Sequence, residues 1–122
     1  MLNFFDSFFK KDNDLEKMNF SLEIGPHTDL ETLPPVKDVY VTMLPGGDYK
    51  DTADKSGNLV KKGFNPVPHF PARSINNEEE LKEYVSRCKD QGVKQALVIG
   101  GSRDPIGKFD SSYQILETGF FD

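Results

Sequence analysis

The chain has 122 residues, 15 of them Lys or Arg and 20 Asp or Glu, for a formal net charge of −5. That acidic balance argues against a nucleic-acid partner, because phosphate binding needs a basic surface, and no run approaches the roughly 20 apolar residues that span a bilayer. The length suits one domain with a real core, and the single cysteine, Cys88, cannot close an internal disulfide, which points to a reducing cytoplasm.

The opening segment MLNFFDSFFKK is aromatic but broken by Asp6. It lacks a positively charged start and a small-residue cleavage site, so it does not read as a signal peptide. Residues 1–18 are expected to form an extension, with a short amphipathic helix around Phe4, Phe5, Phe8 and Phe9. Four apolar runs follow: NFSLEIGP over 19–26, VYVTMLPGG over 39–47, PVPHFPARS over 66–74 and QALVIGGSRD over 95–104. In each, β-formers come first and the chemically useful residues stand at the exit. Those residues are Glu23, Thr42, His69 and the pair Gly100-Gly101. Parallel barrels divide their labour in this way, with strands for packing and the C-terminal mouth for the site.

Between the runs lie helical signals. A helix over about 50–62 ends at Gly63 and is weakened by Gly57 in its interior. The most secure helix covers 77–91. Asn76-Asn77 precede Glu78, Glu79 and Glu80, a capped and dipole-matched start, and Leu81, Tyr84, Val85 and Cys88 then recur at helical spacing before Gly92. A last helix begins near Asp110 with Ile115 and Leu116 on its apolar side, and exposed Phe120 and Phe121 follow. Strand then helix, three times over, implies parallel strands joined by right-handed crossovers. The fold expected is α/β, built of parallel (β/α) repeats as the first half of a (β/α)8 TIM barrel, since a complete barrel needs about 200 residues or more. An uncovered apolar face would favour a homo-oligomer.

Glu23 stands between Leu22 and Ile24, so on a strand it points to the opposite face. Inside a barrel it would be a partly desolvated acid whose burial favours the protonated form needed for proton donation. The alternative is an exposed glutamate on an edge strand. His69, held between Pro68 and Phe70, either orients a ligand or only satisfies local backbone groups. A metal role is not expected, because the other histidine, His27, has no ligand-spaced partners. Neither Gly46-Gly47 nor Gly100-Gly101 has dinucleotide-fingerprint or P-loop spacing. Arg73 and Arg103, at strand ends, can hold a phosphate or carboxylate or lie solvated on the surface, and Cys88 belongs to a core stripe.

In order along the chain these segments resemble the methylenetetrahydrofolate reductase family of flavin-containing (β/α)8 barrels. SLEIGP from Ser21 matches the first strand, and VTMLPGGDYKDT from Val41 matches the second strand and its glycine loop, with Lys50 where arginine is usual. PHFPARS from Pro68 matches the third strand, EEELKEYVSRCKDQGV the helix after it, and ALVIGGSRDPIGKFDSS the fourth strand and turn. The resemblance implies reduction of 5,10-methylenetetrahydrofolate to 5-methyltetrahydrofolate, with hydride passed from NAD(P)H through FAD. It implies Glu23 as the general acid that opens the imidazolidine ring, and Thr42, His69, Gly100, Gly101 and Ser102 at the FAD. Two departures stand out. The family often has R-G-D at the fourth turn, where this chain has Gly100-Gly101-Ser102, so Asp104 would have to take the aspartate's place. The connection between strands one and two, HTDLETLPPVKD, is shorter than the family's helix. Other readings are a folate-dependent one-carbon transferase without flavin and a non-enzymatic α/β binding module.

Overall fold

A computed structural model of the protein describes residues 20–122. The extension expected over 1–18, with its aromatic helix, lies outside the described residues. Four strands, β1 (Ser21–Ile24), β2 (Asp38–Val41), β3 (Asn65–Pro71) and β4 (Leu97–Ile99), form one sheet in the order β1-β2-β3-β4, and every pairing is parallel. Helix α1 (Tyr49–Lys61) joins β2 to β3, α2 (Glu78–Asp90) joins β3 to β4, and α3 (Ser112–Leu116) follows β4. Between β1 and β2 there is only a single 3-10 turn, Leu30–Thr32, capped by the Asp29 carboxylate accepting from the Glu31 amide. Strands laid down in sequential order by crossovers of one hand put their connections on one face of the sheet.

Strand alternation sorts the side chains accordingly. The register sets Leu22 and Ile24 level with Val39 and Val41, these with Pro66 and Pro68, and Phe70 with Val98. This set faces the helices. Val39 and Val41 are fully buried with Ile24, Val36 and Leu59, while Phe70 packs with Leu81, Tyr84, Val85, Cys88 and Ile115. The Phe70 and Tyr84 rings stack with centroids 3.9 Å apart. The other set, Glu23, Tyr40, Val67, His69, Leu97 and Ile99, faces away from the helices.

Two prolines inside a central strand, Pro66 and Pro68, would ordinarily argue against it, because proline cannot donate to the ladder. Here the register removes the conflict. The Asn65 amide donates to the Lys37 carbonyl at 2.8 Å, so residues 65, 67 and 69 bond toward β2. Pro66 and Pro68 turn toward the other side, and β4 begins only opposite His69. No ladder partner there calls for the missing donors.

The helices match their expected spans within a residue or two, and their contacts explain details that local propensity does not. Asp48 caps α1 by accepting from the Lys50 amide at 2.9 Å, and Asn77 caps α2 by accepting from the Glu80 amide at 2.8 Å. Gly57, costly to an isolated helix by about 1 kcal/mol relative to alanine, is buried where α1 meets the end of α2. A Cβ there would lie 1.9 Å from Gln91 Oε1. Gln91 donates to Asp54, which also takes a bidentate pair of bonds from Arg87 at 2.9 and 3.0 Å. The Arg87 guanidinium holds the Asp54 carboxyl below the usual carboxylate range. Cys88 is buried as expected, and burial pushes its thiol up to about 12.

Two expectations at the C-terminal end need correction. Ile115 is fully buried but Leu116 is exposed, because neighbours on so short a helix point about 100° apart and only one can face the core. Phe120 and Phe121 are half-buried rather than exposed. Phe121 meets Phe70 edge-on at 5.0 Å, and the Lys89 ammonium donates to the carbonyls of Phe120 and Asp122, both at 3.1 Å.

Candidate functional site

The face of the sheet turned away from α1 and α2 carries the polar cluster. Glu23 is the third residue of the four-residue β1 and lies level with Tyr40, while His69 stands two residues further along β3 than Val67, the partner of Tyr40. Parallel pairing therefore sets all three toward the C-terminal end of the sheet. Glu23 Oε1 lies 3.7 Å from His69 Nε2, across the width of β2. The Tyr40 ring meets the imidazole in a T-shaped contact at 6.2 Å. On the helix side the Tyr84 hydroxyl donates to the His69 carbonyl at 2.7 Å, which pins the backbone beneath the imidazole.

The two members of the pair differ sharply in exposure. The Glu23 side chain is 65% accessible and that of His69 only 10%. The desolvated carboxylate expected of a barrel interior is thus an exposed one on edge strand β1, since no strand flanks β1 on its outer side among the described residues. His69 carries the burial instead. Its Nε2 is inaccessible and has no hydrogen-bond partner. Burial lowers the basicity of the imidazole, and the nearby Glu23 carboxylate only partly opposes that shift.

A histidine kept neutral by burial leaves a signature in stability. The unfolded chain takes up the proton near the ordinary value of 6.5, and the folded chain only at lower pH. His69 therefore contributes stability that is full above 6.5 and is lost as pH falls toward the lowered folded value. Urea denaturation from about pH 8 to 5 should show this decline in the wild type and a shallower one in His69→Gln. Equal slopes in the two proteins would disprove a neutral, buried His69.

Thr42 follows β2 directly, and its polar groups serve the framework. Its amide and hydroxyl both approach the Ile24 carbonyl, at 2.9 and 3.3 Å, and its carbonyl accepts from the Thr52 hydroxyl at 3.0 Å. It ties the ends of β1 and β2 to α1, beside Glu23. Gly100 and Gly101 follow β4 and are fastened to the exit of β3: the Arg73 amide donates to the Gly100 carbonyl at 2.9 Å, and its guanidinium donates to the Gly101 carbonyl at 3.3 Å. Gly101 has φ +103°, a conformation that suits glycine. Arg73 also donates from Nε to the Asp110 carbonyl and carboxylate at 2.9 and 3.0 Å. It is thus the strap of the loop after β4 and not a free anion ligand. Ser102 and Asp104 are exposed on that loop and make no hydrogen bond or ion pair. Arg103 is half-buried and equally unpaired, and His27 is exposed, 3.8 Å from Asp51.

The structure thus brings Glu23 and His69 together and sets Thr42 and Gly100-Gly101 at the same end of the sheet, while nothing joins Ser102 or Asp104 to the pair. Tyr40 escapes a motif-based reading. Its signal is the alternation in DVYVT, where it stands between Val39 and Val41 just as Glu23 stands between Leu22 and Ile24. No protein-family model matches the chain.

Proposed function

We propose that this chain forms the first half of a (β/α)8 barrel of the methylenetetrahydrofolate reductase type, and that Glu23 is its general acid. The observation that carries the reading is the convergence of Glu23 and His69 at the C-terminal end of a sequentially ordered parallel sheet, on the face turned away from α1 and α2. Sequential order with all crossovers on one side is the topology from which such barrels close, and their sites lie at that end.

The residues present fit a planar cofactor. Leu97 and Ile99 supply apolar surface on the same face as Tyr40, beside the buried, unpartnered Nε2 of His69. His69 and the Gly100-Gly101 turn would hold FAD, with Thr42 framing the floor beside them and NAD(P)H as the hydride source. When bound, the flavin supplies the hydride carrier. The carboxyl proton of Glu23 passes to the substrate's bridging nitrogen as the ring C–N bond breaks, leaving a carboxylate and an electrophilic iminium carbon.

The complete barrel should be yellow, should be bleached by NAD(P)H, and should be reoxidised by 5,10-methylenetetrahydrofolate with formation of 5-methyltetrahydrofolate. A colourless protein that transfers one-carbon units would overturn the flavin and leave a transferase. For the 122-residue chain alone we expect no turnover and weak or absent FAD binding. Among the described residues β1 and β4 are open edges, and Glu23 remains largely in water. Flavin fluorescence titration together with sedimentation checks this, and a monodisperse monomer that binds FAD at micromolar concentration and turns over would disprove it.

A further inference from the structure

The burial of His69 Nε2 without a partner is a cost to the fold. An unpaired polar atom excluded from water destabilises by about 1–3 kcal/mol, and His69 is already anchored through its carbonyl by Tyr84. Its nitrogen nevertheless faces one particular group, Glu23 Oε1, at 3.7 Å. That gap is too long for a hydrogen bond and short enough for one to form when the exposed carboxylate swings inward by about 1 Å. Glu23 can make that movement because its side chain lies largely in solvent, whereas His69 is held. A ligand covering this face would exclude the water that now solvates Glu23 and leave His69 as the hydrogen-bond donor beside it.

We propose that His69 is a positioning residue for Glu23, its Nε2–H donating to the carboxylate that Glu23 becomes when it gives up its proton. The inference rests on the reading of Glu23 as an acid and adds a role for His69 distinct from holding a cofactor. The step conserves its protons. Glu23 transfers its proton to the substrate nitrogen and becomes a carboxylate, and the imidazole keeps its own Nε2 proton while sharing it in the new hydrogen bond. A preorganised donor aimed at charge that appears only during reaction lowers the barrier without requiring reorganisation. The role requires a neutral imidazole with its proton on Nε2, and burial favours the neutral form.

Long-range ¹H–¹⁵N NMR of the imidazoles in the 122-residue chain at neutral pH tests the tautomer directly. His69 should show Nε2 protonated and Nδ1 bare, and its Nε2 resonance should move in Glu23→Gln. An Nδ1–H tautomer, or an Nε2 resonance unmoved by that substitution, would overturn the proposal whatever the protein catalyses. In the complete barrel, His69→Phe should slow the folate half-reaction about 10²-fold with little change in KM, and His69→Gln, which retains an N–H donor, should recover at least a tenfold part of that loss. Equal loss in Phe and Gln variants would also overturn it. A correct tautomer in a barrel that never reduces folate would overturn the reductase reading instead, leaving the Glu23–His69 contact without that reaction.

Discussion

Glu23→Gln in the complete barrel is expected to lower reduction of 5,10-methylenetetrahydrofolate by about 10²-fold or more while leaving the bleaching of flavin by NAD(P)H near its wild-type rate. The amide keeps the size and the hydrogen-bonding reach of the carboxyl but has no proton of comparable acidity to give. Only the half-reaction that breaks the ring C–N bond needs that proton. The side chain is exposed on β1, away from the packed helix side, so the substitution removes no core contact and should leave folding unchanged. Stopped-flow measurement of the two half-reactions separates these effects. Equal slowing of both would make Glu23 structural and remove it from the chemistry.

Gly107→Ala is expected to destabilise the chain by roughly 1–3 kcal/mol, among the largest effects for a single added methyl group. A Cβ at Gly107 would stand 2.1 Å from the Asn76 carbonyl oxygen and 2.9 Å from that of Ile75, both backbone atoms that cannot move aside as a side-chain tip can. Gly107 is the point where the loop after β4 crosses the segment leading into α2. The neighbouring Ile106 amide donates to the Arg73 carbonyl at 3.1 Å, so the loop cannot lift there without losing that bond. Gly100→Ala is the control. Nothing but the Asp110 carbonyl, at 3.9 Å, lies near its added Cβ, and its φ is not positive. That variant should stay within about 0.5 kcal/mol of the wild type. Chemical denaturation measures both, and a stable Gly107→Ala protein would mean that the loop does not seat against Asn76.

Much of the framework was legible in the residues. The cap at Asn77, the apolar stripe from Leu81 to Cys88 and the alternation in SLEI act through neighbours within a turn or along one strand, so the local sequence determines α2 and the facing of β1. The order of strands and helices likewise determines a parallel α/β sheet, since parallel strands need crossovers and this chain spaces its strands to allow them. That the useful residues gather at one end follows from the same fact, because strands that run one way carry their exits to one edge.

Only the tertiary structure decided the rest, because it depends on residues distant in sequence. Gly57 reads as a flaw in α1 until Gln91, 34 positions later, is found to occupy the space that a side chain there would fill. Arg73 reads as a free cation until the loop after β4 brings Gly101 and Asp110 to its guanidinium. Which member of the polar pair is buried was decided by position in the sheet. Glu23 lies on an edge strand with solvent beside it, and His69 lies on an interior strand between β2 and β4. Burial depends on how many neighbours the assembled sheet supplies to each side chain, a quantity that no local pattern contains.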